Sequence, residues 1–189
     1  MFVVFEGIDG SGKSSVIESV KSFLESKGHR VKTTREPTEG TVGSFVRDTG
    51  GLTPETEALL FTADRACHTA EIKKWMSEGF DVVSDRYVAS TIAYQAASGM
   101  DRKWLAEINS KAAIEPDMTF LLDISPEVSL KRVDSRGGEK SRFEKADYLK
   151  KVREEYLITA EERGFIVIDA SGTPDEVRNK VLEIMEKAI

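Results

Sequence analysis

Two periods of apolar residues alternate along the chain. Short runs read as strands at Phe2-Val3-Val4-Phe5, Val31-Lys32-Thr33-Thr34, Val82-Val83-Ser84, Met118-Thr119-Phe120-Leu121-Leu122 and Phe165-Ile166-Val167-Ile168. Between them, apolar residues recur three and four apart, as on helices. Val16, Ile17, Val20, Phe23 and Leu24 predict a helix from near Lys13 to the stop at Lys27-Gly28-His29. Residues 42–47 form one or two turns before Gly50-Gly51. Thr53 as N-cap and Pro54 as first residue open a long helix, whose apolar face would be Leu59, Leu60, Ala63, Ala66, Ala70, Ile72 and Trp75. Further helices are expected at 90–97 and 102–113, after Ser125-Pro126 (with Val128, Leu130 and Val133), and over about 146–162. The last begins at a capping box, Thr173 with Glu176, and carries Val177, Val181, Ile184 and Met185. Strands alternating with helices predict a parallel sheet covered on both faces, hence a three-layer α/β/α domain with a five-stranded parallel sheet. No linker divides the chain, so residues 1–189 are expected to form one domain. The polar, glycine-paired stretch 135–142 reads as a mobile loop, a lid at about 134–146.

The first strand and first helix flank Gly7-Ile8-Asp9-Gly10-Ser11-Gly12-Lys13-Ser14, which fits the phosphate-loop pattern at every defined position. Its glycines let backbone N–H groups turn around an anion at a helix N-terminus. Lys13 is then expected on the β- and γ-phosphates and the Ser14 hydroxyl on Mg²⁺, with Ser15 continuing the turn. This predicts the P-loop NTPase fold and a bound nucleoside triphosphate. Composition narrows the partners. A net charge of −6 argues against a general nucleic-acid surface. A single cysteine, Cys67, excludes an internal disulfide, and His29 and His68 make no metal-ligand cluster. With no leader before the first strand and no bilayer-length apolar run, a cytoplasmic enzyme with no membrane partner is expected.

Other residues separate a kinase from a switch. Asp85, just past a strand, is placed to bind Mg²⁺, and Arg86 points at the same edge; a helix N-cap and a surface ion pair are the plainer readings. Arg132, Arg136 and Arg142 flank the lid, where arginines brought in by closure would stabilise the charge of a transferring phosphoryl group. Phe61 and Arg65, at i and i+4, share a helix face suited to a base and a phosphate, although a core phenylalanine and an unrelated arginine would share the spacing. Thr91, Tyr94 and Gln95 add hydrogen-bonding groups. A GTPase-type switch would carry N-K-x-D; here Asn179-Lys180 is followed by Val181.

Taken together, Phe5-Glu6-Gly7 through Ser14, Thr34-Arg35-Glu36-Pro37, Leu60-Phe61-Thr62-Ala63-Asp64-Arg65, Asp85-Arg86-Tyr87 with Ser90 and Ala93-Tyr94-Gln95, Leu122-Asp123, and Arg136-Gly137 through Arg142 resemble the thymidylate kinases. They run in the family's order over nearly the whole chain. The resemblance implies transfer of the γ-phosphoryl group of ATP to dTMP, with Mg²⁺; a P-loop kinase with another acceptor is the alternative. It implies that Gly7, Ile8, Asp9, Gly10, Ser11, Gly12, Lys13, Ser14, Ser15 and Arg132 bind ATP, and that Ser14 and Asp85 serve the metal. It places Asp9, Glu36, Pro37, Arg47, Phe61, Arg65, Arg86, Ser90, Thr91, Tyr94 and Gln95 around dTMP, with Phe61 stacked on thymine. Lys13, Asp9, Arg86, Arg136 and Arg142 are the implied catalytic residues. The phosphate-loop position that is arginine in some members is Gly10 here, which shifts that task to Arg136 and Arg142. A homodimer is also implied, for which the first and third helices offer apolar faces.

Overall fold

In the computed structural model the described residues are 1–133 and 142–189, side chains 142–144 excepted. Five strands, β1 (Phe2–Glu6), β2 (Val31–Arg35), β3 (Asp81–Asp85), β4 (Met118–Asp123) and β5 (Ile166–Asp169), form one parallel sheet in the order β2-β3-β1-β4-β5. The helices are α1 (Lys13–Ser26), α2 (Thr41–Asp48), α3 (Pro54–Ser77), α4 (Val88–Ala97), α5 (Arg102–Asn109), α6 (Pro126–Val133), α7 (Arg142–Arg163) and α8 (Pro174–Glu186). The three-layer α/β/α architecture is therefore as the alternation predicts, and no described helix is long and apolar enough to cross a membrane.

β1 lies at the centre and is buried along its whole length. Its side chains alternate: Val3 and Phe5 enter one apolar cluster with Val20 and Leu24 of α1 and Val181 of α8, and Phe2 and Val4 enter another with Ile72 of α3, Ile92 of α4 and Leu105 of α5. Pairing in register sets Phe5 beside Asp85 on β3 and beside Phe120 on β4. The carboxyl ends of the three central strands thus share one edge, where an open α/β sheet presents its ligands.

Several element bounds differ from expectation. α4 starts two residues earlier, at Val88, α5 stops at Asn109, and α7 starts at Arg142. The long helix differs more. Leu59, Ala63, Ala66 and Ala70 face solvent, whereas α3 buries Asp64, Arg65, His68 and Thr69 along with Ala58 and Ile72. The helix is rotated because these polar groups have partners inside: Asp64 accepts from the Thr38 backbone N–H (2.8 Å), and His68 meets Glu36 (2.9 Å) and Thr34 (2.7 Å). The first helix's apolar face, by contrast, is spent in the core and against α8.

Leu24, fully buried at the end of α1 and distant from the sheet's carboxyl edge, tests the packing. Leu24→Ala is expected to lower unfolding free energy by about 2–5 kcal/mol in urea denaturation. A loss under about 1 kcal/mol would mean that the site collapses around the deletion or is not packed as described.

Candidate active site

The glycine loop begins where β1 ends. At Gly7 the chain takes φ +138°, and a side-chain carbon there would lie 2.5 Å from the Leu122 carbonyl oxygen, so only glycine fits. The loop closes with the Ser11 N–H on the Ile8 carbonyl (3.3 Å) and passes through Gly12 into α1. Lys13 is buried at the helix start, its ammonium donating to the Gly7 carbonyl (2.9 Å) and lying 4.0 Å from Asp85. Burial, reinforced by the positive charge of Arg86, lowers the Lys13 pKa to about 8, although Asp85, Asp9 and Glu6 pull the other way.

Asp85 ends β3. Its Oδ1 is buried and has no hydrogen-bond partner among the described residues, and the exposed Ser14 lines the same groove of about 490 Å³. An unmet carboxylate oxygen beside a serine hydroxyl suits a hard divalent cation. No cluster of three or more His, Cys, Asp or Glu stands ready for a metal among the described residues, so these two side chains would supply part of a coordination shell completed by phosphates and water.

Arg86 follows in a left-handed turn, φ +72°, the one such non-glycine residue among those described. That turn lets the chain enter α4 while the Arg86 side chain returns across the sheet edge. Its guanidinium donates to the Asp9 carboxylate (2.5 Å), the Ser90 hydroxyl (3.1 Å) and the Tyr156 hydroxyl (3.2 Å), and stands over the Tyr94 ring at 5.4 Å. Burial works against its charge, but Tyr156, Tyr94, Asp9 and Glu6 outweigh burial and hold its pKa above the ordinary arginine value.

Beneath Arg86 lies Glu6, fully buried at the last position of β1. Its Oε1 accepts the backbone N–H groups of Tyr87 (2.9 Å) and Ser90 (3.2 Å), and its Oε2 accepts the Ser90 hydroxyl (2.6 Å). The carboxylate therefore caps α4 from a neighbouring strand, where the helix dipole favours negative charge. Burial raises its pKa above the ordinary carboxylate range, against the Ser90 hydrogen bond and the Arg86 charge. The Tyr156 hydroxyl, 3.2 Å from Oε2, ties α7 to the same cluster. Sequence reading gave Glu6 no role; a glutamate ending an apolar strand was the available signal. Tyr156 offered none.

A second cavity, about 250 Å³, opens beyond Arg86 between α3 and α4. The structure brings Asp9, Glu36, Pro37, Phe61, Arg65, Arg86, Ser90, Thr91, Tyr94 and Gln95 to its wall, and adds Glu57, Tyr87 and Tyr148, which sequence reading did not single out. Arg65 is 1% exposed and almost wholly engaged: it pairs with Glu36 (2.5 Å) and donates to Asn109, the Tyr87 carbonyl (3.0 Å) and Thr91 (3.1 Å). Arg47 is not on this wall. It reaches the Thr38 carbonyl (3.3 Å) and Glu39 (3.2 Å) instead. Arg132 clamps the glycine loop to the segment after β5, through the Gly10 (3.2 Å), Ala170 (3.1 Å) and Gly172 (3.1 Å) carbonyls. Arg136 and residues 134–141 of the expected lid lie outside the described residues, as does the side chain of Arg142, while residues 142–146 form the start of α7.

The sequence has relatives among known proteins along nearly its whole length. The family model described as Thymidylate kinase matches residues 5–181. The chain is 44% identical to a probable thymidylate kinase of Pyrobaculum aerophilum, over all of this chain and 97% of that protein. It is 42% identical to one of Archaeoglobus fulgidus (98% and 95% covered) and 44% identical to one of Methanocaldococcus jannaschii (96% and 94% covered). A match that runs from the end of β1 into α8, with relatives of this identity along their whole length, means that the chain belongs to the thymidylate kinase family.

Proposed function

We propose that the protein transfers the γ-phosphoryl group of ATP to dTMP, giving dTDP and ADP. The observation that carries this reading is a shared wall: Asp9 and Arg86 line both the groove along the glycine loop and the cavity beyond it. A donor phosphate chain in the groove and an acceptor phosphate at the near end of the cavity meet at Arg86. Phe61 offers a stacking face to the base. Arg65, neutralised by Glu36, suits the polar edge of a base better than a phosphate, which leaves Arg86 as the cation for the acceptor.

The reaction needs no protein nucleophile, because an acceptor phosphate oxygen attacks the γ-phosphorus in line. The chain contributes positioning and charge. Lys13 exchanges the Gly7 carbonyl for donor phosphate oxygens. Arg86, fixed from behind by Ser90 and Tyr156, exchanges exposed Asp9 for the acceptor phosphate. Mg²⁺, for which Ser14 and Asp85 supply oxygen donors, would neutralise charge on the donor. The part of Arg136 and Arg142 in this reading rests on their sequence positions alone. A homodimer belongs to it too, supported by exposed apolar residues on adjoining helices: Leu59 on α3 and Phe45 on α2, 51% and 52% exposed, with Ala63, Ala66 and Ala70 continuing the α3 stripe. We place the enzyme in the cytoplasm, in keeping with the exposed free thiol of Cys67; recovery of the native protein in a membrane or exported fraction would oppose that.

In an ADP-release assay with ATP and Mg²⁺, turnover is expected with dTMP and much less with UMP, AMP, thymidine or shikimate. Phe61→Ala should lose about 1–3 kcal/mol of acceptor binding, a rise of roughly 5- to 150-fold in KM for dTMP. Turnover confined to another acceptor, or hydrolysis without one, would sink the reading.

Burial depresses Lys13 in the free protein, so its charge is present below about pH 8 and lost above it, and phosphates restore it on binding. ATP affinity measured calorimetrically should thus be level to about pH 8 and then fall up to tenfold per pH unit, with proton uptake on binding. Constant affinity from pH 7 to 9.5 would contradict this. Leu59→Glu should shift the sedimentation coefficient to that of a monomer; an unchanged coefficient would remove α3 from the interface.

A further inference from the structure

Two residues in the wall of the cavity beyond Arg86 each carry an unmet polar atom. Among the described residues that line it, the Arg65 Nε–H and the Gln95 Oε1 are buried without hydrogen-bond partners, one a donor and one an acceptor. The first is left over because Glu36, Asn109, Tyr87 and Thr91 take the other guanidinium nitrogens. The second has a separate cause. The Gln95 Nε2 donates to Glu57 Oε2 at 3.1 Å, and Glu57 stands in the first turn of α3, one turn before Phe61 on the same helix face. A carboxylate only accepts hydrogen bonds, so the amide that meets it must turn its NH₂ group that way and its oxygen the other.

We propose that Glu57 is a positioning residue for acceptor specificity, fixing the Gln95 amide so that the cavity demands a ring edge with an N–H donor beside a carbonyl acceptor. Thymine and uracil present that edge at N3–H and O4. Cytosine presents the inverse, an acceptor nitrogen beside an amino donor, and would leave both protein atoms unmet inside a buried site. Sites that demand a hydrogen bond discriminate strongly for this reason. The inference rests on the thymidylate reading and adds to it the residue that sets the polarity of base recognition.

The test compares kcat/KM for dTMP, dUMP and dCMP in the wild-type enzyme and in Glu57→Gln, which keeps shape but can donate or accept. With the constraint gone, the Gln95 amide can turn. The dTMP-to-dCMP and dUMP-to-dCMP ratios should both fall about tenfold, through the acceptor KM, while the KM for ATP stays unchanged. A merely structural role would lower activity on all three acceptors by one factor. That result, or unchanged ratios, overturns the inference and leaves the dTMP reading standing. A wild-type enzyme that uses neither dTMP nor dUMP overturns both.

Discussion

A carboxylate removed from water must be surrounded by donors, and the active-site edge of this protein is assembled around one such group. Glu6 ends the central strand with its side chain fully buried. The donors that satisfy it are the first N–H groups of α4, the Ser90 hydroxyl and the Tyr156 hydroxyl of α7. Removing one partner of such a network leaves a buried polar group unmet, at a cost of about 1–3 kcal/mol, more where the group is charged. Strand, helix and α7 are therefore held to one another through a single side chain. Arg86 hangs from that cluster by Ser90 and Tyr156, so its position over the glycine loop follows from the burial of Glu6.

The same logic rotates α3. Its polar residues Asp64, Arg65 and His68 turn inward because Thr38, Glu36 and Asn109 meet them there, and its small apolar residues turn outward as a consequence. The Glu36–Arg65 pair is inaccessible on both sides. Breaking a pair of this kind by removing one partner costs about 3–5 kcal/mol, so the cavity beyond Arg86 has a rigid floor rather than an adaptable one. Rigidity there holds the Arg65 guanidinium at a fixed point, which the proposed orientation of a substrate would use.

Mobility is assigned differently. Asp9 is 72% exposed while its partner Arg86 is 19% exposed, and Lys13 is held by carbonyls of its own loop. In the proposed reaction each of these contacts would yield its cation to a phosphate, leaving the buried clusters behind it in place. The fixed parts and the exchangeable parts of the site are thereby separated by depth.

The five strands, the parallel three-layer sheet, the glycine loop with Lys13 and Ser14, and the presence of Asp85 and Arg86 beside it were legible in the chain's own pattern, because apolar periodicity and backbone-restricted glycines are local properties. Phe61, Arg65, Tyr94 and Gln95 were legible as a set only through a family's motif order. Tertiary structure decided the rest. The helix face that α3 buries could not be read from its apolar spacing, since the Arg65 ion pair and the His68 hydrogen bond to Glu36, about 30 positions away, outweighed it. Arg47 lies off the cavity wall because Glu39 and the Thr38 carbonyl hold it. Glu57, Asn109 and Tyr156 had no local signature, and Glu6 only that of a glutamate ending an apolar strand, because each acts on a partner brought near by folding, and hydrogen-bond partners far apart in the chain leave no period in it.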